Sequence, residues 1–150
     1  MIAVLMVCLG NICRSPLAEG ILKSKVNSKK IFVDSAGTSA WHIGKSPDPR
    51  SIEVAAKYGI DIALQKARQL IQEDFDKFDL IYVMDASNYQ NVLKLARNKD
   101  DRSKVKMILN ESYPSEDKEV PDPYYGGALG FENVYQMLEN ACDSIVKKTR

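Results

Sequence analysis

Residues 2–16 read IAVLMVCLGNICRSP, and the change of character at Cys8 decides the fold. Residues 2–7 are uninterrupted hydrophobes, the pattern of a strand buried on both faces as in a parallel sheet. After Cys8 the chain turns polar, with Gly10 and Asn11 suited to a tight loop. Ser15 and Pro16 then carry the signature of a helix start, Ser15 as cap and Pro16 in the first position. Leu17, Ala18, Ile21 and Leu22 give that helix an apolar face.

The same alternation continues outward. IFVDSAG (31–37) reads as a second strand, followed by a helix over 49–58 that Gly59 closes. A turn of helix covers EDFDKF (73–78), DLIYVMD (79–85) is a third strand, and SNYQNVLKLA (87–96) is a helix with Ser87 as its cap. KVKMIL (104–109) is a fourth strand. A last helix over 130–147 turns Phe131, Val134, Tyr135, Leu138, Cys142 and Ile145 inward. Strands separated by helices require right-handed crossovers, so the fold class is α/β: a three-layer αβα domain with a four-stranded parallel sheet. A single domain spanning 1–150 is expected, with its site beyond the carboxyl ends of the strands.

Composition narrows the function. With 45% hydrophobic and 27% charged residues and a formal net charge of +1, nothing favours a nucleic-acid or membrane partner. MIAVLMV lacks a basic leader region, and no later run approaches a membrane span, which predicts an unprocessed cytoplasmic protein. Cys8, Cys13 and Cys142 are too few and oddly spaced for a disulfide framework, and His42 is the sole histidine. No metal or other cofactor is expected, and His42 reads as an incidental surface residue.

The loop from Cys8 to Ser15 has its own chemistry. A loop that leaves a strand and feeds a helix N-terminus aims backbone N–H groups inward and makes an anion nest. A thiol at its centre feels the same field, so the Cys8 pKa is expected to fall from about 8.5 towards roughly 3.5–7.5. Arg14 offers paired planar donors for two oxygens of one phosphoryl group, and the Ser15 hydroxyl can donate to the Cys8 sulfur. A thiolate facing a phosphate monoester can displace the ester oxygen. The leaving group then needs a proton, and Asp122, held between Pro121 and Pro123 with Tyr124 and Tyr125 following, is the candidate donor.

VCLGNICRSP at the first strand and DPYYG (122–126) before the last helix resemble the low-molecular-weight protein tyrosine phosphatases. DSAGTS (34–39), ARQL (67–70) and MDASN (84–88) follow in that family's order, so the resemblance covers essentially the whole chain. It implies a flavodoxin-like topology and hydrolysis of phosphotyrosine through a cysteinyl-phosphate intermediate. Cys8 would then be the nucleophile, Arg14 the binder of phosphate and transition state, and Asp122 general acid, then base. The amides of Leu9, Gly10, Asn11, Ile12, Cys13, Arg14 and Ser15 would hold phosphate oxygens. Asn11 and Ser39 would brace the loop, Asp85 would orient Arg14, and Trp41, Tyr124 and Tyr125 would wall the cleft. The implied partners are a phosphotyrosine protein or peptide and phosphate or another oxyanion, with the chain a monomer or weak dimer.

Two positions depart or divide. Gln65 stands where relatives commonly place a histidine bonded to the loop's serine network; its amide still donates and accepts, so a modest effect on loop stiffness is expected. Cys13 reads either as a small buried hydrophobe or as a resolving thiol that pairs with Cys8 on oxidation, and some redox protection is the favoured reading. Arsenate reductases of similar design need two further cysteines, and residues 75–100 contain none. Protein arginine phosphatases typically carry threonine where Ile12 stands, which favours phosphotyrosine. A non-catalytic phosphotyrosine-binding module would be expected to lack Cys8, Arg14 or Asp122.

Overall fold

The computed structural model describes residues 1–124 and 128–149. Strand β1 (Ile2–Cys8) leads into helix α1 (Arg14–Lys25), and β2 (Ile31–Gly37) into α2 (Pro49–Lys57) and the short α3 (Asp74–Lys77). Strand β3 (Leu80–Val83) is followed by α4 (Ala86–Leu93) and α5 (Lys99–Ser103), then β4 (Val105–Met107), a 3-10 turn at Ile108–Glu111 and α6 (Ala128–Thr149). The sheet order is β2-β1-β3-β4, and every pairing is parallel. The chain passes from β1 to β2 on one side and then to β3 on the other. The carboxyl end of β1 therefore lies at the switch in strand order, where crossing connections leave an open crevice.

The pleat of β1 divides the core. Val4, Met6 and Cys8 face a cluster with Leu17, Ile21, Val54, Phe131 and Leu138 of α1, α2 and α6. Leu5 and Val7 face the other way, onto Phe75, Phe78 and Val92 of α3 and α4 and the residues around them. Residues 4–7 are wholly buried, which is why their sequence shows no alternation. The inner stripe of α6 is as expected, since all six of its residues are buried.

Several boundaries differ from the sequence reading. α1 begins at Arg14, with Cys13 rather than Ser15 in the capping position and no side-chain cap. Pro16 still fits the first turn, because amides there have no partner within the helix. α4 begins at Ala86, because Asp85 and not Ser87 caps it by accepting the Asn88 amide. β3 and β4 are shorter than read, and Ile108 and Leu109 belong to the 3-10 turn. α5 went unread: its residues, KDDRS, carry no apolar period, although Asn98 caps it through the Asp101 amide. Among the described residues, no helix is long and apolar enough to cross a membrane.

Candidate active site

The loop after β1 is held by its carbonyls. Those of Cys8 and Leu9 accept the amides of Thr38 and Ser39, each at 2.9 Å, and that of Ile12 accepts the Asp48 amide at 2.7 Å. The Cys13 carbonyl accepts the Ser51 hydroxyl at 3.2 Å. In a trans peptide the N–H points opposite to the C=O. Pinning these four carbonyls outward therefore turns the amides of Leu9, Gly10, Cys13 and Arg14 to the inner side, where the N-terminus of α1 adds its dipole. The backbone of β2 comes close enough to do this only because residue 37 is glycine: a Cβ there would lie 2.8 Å from the Leu9 carbonyl oxygen. The left-handed backbone falls on Asn11 alone within the loop, at φ 57°. Gly10 serves a different need, since a Cβ on it would lie 2.8 Å from His42 Cδ2.

Behind the loop runs a chain of hydrogen bonds that ends on the thiol. Glu19 Oε2 accepts Lys23 Nζ at 2.6 Å, and Glu19 Oε1 accepts the Ser35 hydroxyl at 2.6 Å. With its proton committed to Glu19, Ser35 Oγ accepts from Asn11 Nδ2 at 3.0 Å, and the same amide donates to Ser15 Oγ at 2.8 Å. The Ser15 hydroxyl is thus an acceptor on one side, and its own proton is available to Cys8 Sγ at 3.0 Å. Its other acceptor, the Ala36 carbonyl, stands farther off at 3.5 Å. Asn11 Oδ1 accepts the Arg68 amide at 3.0 Å, so this buried side chain is used at both ends. Asn11 ties the loop to Ser35 of β2 and to the Arg68 backbone, and the Ser15 hydroxyl meets the sulfur without capping α1.

Arg14 is 2% exposed. Its Nη1 donates to Asp85 Oδ2 at 2.7 Å and to the Val120 carbonyl at 2.9 Å. Burial works against its charge, but the proximity of Cys8, Asp85 and Asp122 outweighs that and raises its pKa. Asp85 divides its carboxylate, one oxygen on Arg14 and the other on the Asn88 amide at 2.7 Å. Asp122 stands on the far side, with Oδ2 3.7 Å from Arg14 Nη2 and Oδ1 accepting the Tyr124 amide at 3.0 Å. Its loop is anchored by the buried Val120, whose amide donates to the Met84 carbonyl at 2.8 Å.

These groups converge on a cleft of about 280 Å³ lined by Cys8, Leu9, Gly10, Ile12, Cys13, Arg14, Trp41, His42, Asp122 and Tyr124. Trp41 forms its rim and is 72% exposed, while Tyr124 is 40% exposed. Tyr125 lies outside the described residues. The Ser39 amide bonds the loop, and its hydroxyl, like that of Thr38, is buried without a partner among the described residues. Gln65 Nε2 donates to the Pro16 carbonyl of α1 at 3.2 Å rather than to the loop's serines, whose oxygens accept from Asn11 Nδ2. Cys13 is an unpaired buried thiol whose pKa is pushed up to about 12, chiefly by burial and then by the negative charge of Asp48. Among the described residues, no group of three or more His, Cys, Asp or Glu side chains could hold a metal.

Sequence reasoning missed Glu19, Ser35, Asp48, Arg50 and Arg68, and misread His42, which packs on Gly10 and lines the cleft. One signal for Glu19 was present, a lone carboxylate inside the otherwise uncharged run PLAEGIL. A larger groove of about 750 Å³ runs along β4 between Tyr89 and Lys148, away from every cysteine.

A protein-family model described as Low molecular weight phosphotyrosine protein phosphatase matches residues 3–150. The Schizosaccharomyces pombe low molecular weight phosphotyrosine protein phosphatase is 42% identical over 97% of this chain and 96% of its own. Among solved structures, a protein tyrosine phosphatase from Entamoeba histolytica with Hepes in the active site superposes with a TM-score of 0.92 at 36% identity, covering 99% of this chain and 96% of that one. Vibrio vulnificus Wzb in complex with benzylphosphonate gives a TM-score of 0.88 at 31% identity, covering 98% of both chains.

Proposed function

The chain belongs to the low-molecular-weight phosphotyrosine protein phosphatase family and is a protein-tyrosine phosphatase, and from that premise we propose that it works through a cysteinyl phosphate on Cys8. The observation that carries this reading is the outward pinning of four carbonyls around Cys8, which leaves inward amides, the Arg14 guanidinium and a facing carboxylic acid about one small cleft.

A phosphotyrosine side chain enters between Trp41 and Tyr124 with its phosphoryl group against the loop amides. The Arg14 fork takes two non-bridging oxygens, held in its plane by Asp85. The Cys8 thiolate attacks phosphorus opposite the tyrosyl oxygen. The sulfur–phosphorus bond forms as the phosphorus–oxygen bond breaks, and protonated Asp122 gives its proton to the departing tyrosyl oxygen. In the second half Asp122, now a carboxylate, takes a proton from water while that water's oxygen attacks phosphorus. The sulfur leaves as thiolate, steadied by the Ser15 hydroxyl, and inorganic phosphate is released. The transition states ask for positioning and charge stabilisation, which amides and Arg14 supply.

Cys13 is the resolving thiol in this reading. When peroxide oxidises Cys8 to a sulfenic acid, the Cys13 sulfur attacks it, the S–S bond forms and water leaves. Thiol reductant then restores the enzyme. Three unpaired cysteines fit a reducing, cytoplasmic setting.

The test is rapid quenching during turnover of a radiolabelled phosphotyrosine peptide. The label is expected on Cys8, and absent from a Cys8→Ser variant that still binds phosphate. Label on another residue, or no enzyme-bound label, overturns the mechanism. A matched phosphoarginine peptide in the same assay decides the substrate, because Ile12 and the aromatic walls favour the flat tyrosyl ring. Faster turnover of phosphoarginine would overturn that choice.

A further inference from the structure

We propose that Arg50 is a positioning residue that holds the proton-donating loop in register with the phosphate cradle; this rests on the reading of Asp122 as general acid. Asp48 begins the connection. Its amide is bonded to the Ile12 carbonyl of the cradle at 2.7 Å, and its carboxylate is 8% exposed. That carboxylate grips Arg50 through Nε at 3.1 Å and Nη2 at 3.0 Å. The same Nη2 donates to the Tyr124 carbonyl at 3.0 Å. The guanidinium carbon lies 4.6 Å from the Phe131 ring centroid and 5.7 Å from that of Tyr124, so the fork has two aromatic neighbours as well as its hydrogen bonds. Finally, the Tyr124 amide donates to Asp122 Oδ1 at 3.0 Å.

The connection therefore runs from cradle to acid: Ile12, Asp48, Arg50, Tyr124, Asp122. The acid loop is tied upstream at Val120, to β3's end and to Arg14, and downstream at Tyr124 to Arg50. Asp122 sits between the two ties. Arginine is needed because one planar group must meet a carboxylate on one edge and a carbonyl on another, which an ammonium cannot do in the same geometry. Proton donation is the step most sensitive to such placement, since the acid must reach an oxygen whose position the cradle sets.

The experiment compares Arg50→Lys and Arg50→Met, each alone and combined with Asp122→Asn, on a phosphotyrosine peptide and on an aryl phosphate with a far more acidic leaving alcohol. For the single Arg50 variants, kcat/KM on phosphotyrosine, which ends at phosphoenzyme formation and so excludes the water step that Asp122 also serves, is expected to fall about 10- to 100-fold, the scale of an acid displaced by an ångström. On the acidic leaving group, kcat/KM is expected to change by less than about 3-fold, because that oxygen needs little proton assistance. In the Asp122→Asn background, Arg50 changes should cost nothing further on phosphotyrosine, since two residues acting through one proton are not additive. Arg50→Lys keeps a charge opposite Asp48, so it decides the matter if Arg50→Met fails to fold. Equal losses on both substrates, or full additivity with Asp122→Asn, would make Arg50 merely structural and overturn the proposal. Asp122→Asn alone tests the underlying reading: if it leaves the leaving-group dependence unchanged, the general acid is elsewhere, whatever Arg50 does.

Discussion

The Ser15 hydroxyl oxygen stands 3.0 Å from Cys8 Sγ while accepting the Asn11 amide, so the serine proton is aimed at the sulfur. This matters most when the sulfur departs. Expelling Cys8 from the cysteinyl phosphate puts a full negative charge on Sγ, and a hydroxyl donor to a charged acceptor contributes about 1.5–3 kcal/mol. Ser15→Ala should therefore slow breakdown of the phosphoenzyme by about 10- to 100-fold, more than its formation. Stopped-flow kinetics with a chromogenic aryl phosphate would then show a burst followed by a slow steady state. A variant slowed equally in both halves would mean that Ser15 serves only the shape of the loop.

How much of this was legible in the chain depends on the range of the interaction. The first strand could be read from residues 2–7, because burial on both faces leaves a direct trace in composition; β2, at the sheet's edge with Phe32 exposed and Asp34 half-buried, was legible from its apolar residues and the small-residue turn that ends it. That Cys8, Arg14 and Asp122 would share one cleft was legible because such a combination of residue types is rare and the loop that holds two of them is local. The relay from Glu19 through Ser35 to Ser15 was not, because it joins a helix to a strand and exists only once β2 lies beside β1. The clamp of Asp48 and Arg50 onto Tyr124 spans 74 positions and has no local signature. Of the two roles read for Ser15, the contact with the Cys8 sulfur is present and the helix cap is not: a serine before a proline at a helix start has the right chemistry for a cap, but its hydroxyl is used by Cys8 and Asn11 and the capping position falls on Cys13.

Asp85 offers a second test, because its two oxygens have separate duties, Arg14 Nη1 and the Asn88 amide. In Asp85→Asn the side-chain oxygen can serve one of them, and the amide NH₂ repels the other. Removing one partner of a largely buried ion pair costs about 3–5 kcal/mol, reduced here because Val120 and Asp122 still face Arg14. Phosphate supplies the missing negative charge. The stability gap between Asp85→Asn and wild type, measured by urea unfolding, should therefore narrow in saturating phosphate. A gap unaffected by phosphate would confine Asp85 to capping α4.

Gly37 makes a sharper prediction. A Cβ at this position would meet the Leu9 oxygen at 2.8 Å, the Gly10 carbonyl carbon at 3.0 Å and the Asn11 nitrogen at 3.1 Å, all backbone atoms of the cradle. Gly37→Ala must push the loop, so phosphate should inhibit at least about 10-fold less well, the cost of displacing charge-assisted bonds. Gly59 is the control. It has φ 78° and open space, so Gly59→Ala should lose about 1 kcal/mol of stability from backbone strain and leave phosphate affinity alone. Equal phosphate affinity in Gly37→Ala and wild type would refute the close-approach argument.

Cys13 gives a prediction in pH. Burial first, then the charges of Asp48, Cys8 and Asp122, raise its thiol from 9.0 to about 12, against a smaller opposing effect of Arg50. The unfolded chain carries the ordinary value. Below pH 9 the thiol is protonated in both states and contributes no pH dependence. Between pH 9 and 12 the unfolded state releases a proton that the folded state keeps, so stability falls as pH rises, by about 1.4 kcal/mol per unit. Cys142 and Tyr82 are raised in the same direction, but both remain in a Cys13→Ala variant and cancel from the difference. Urea unfolding of wild type and Cys13→Ala is therefore expected to show wild type losing about 2 kcal/mol relative to the variant between pH 9 and 10.5. A difference that stays flat across this interval would show that the folded protein lets Cys13 ionise as freely as the unfolded chain does.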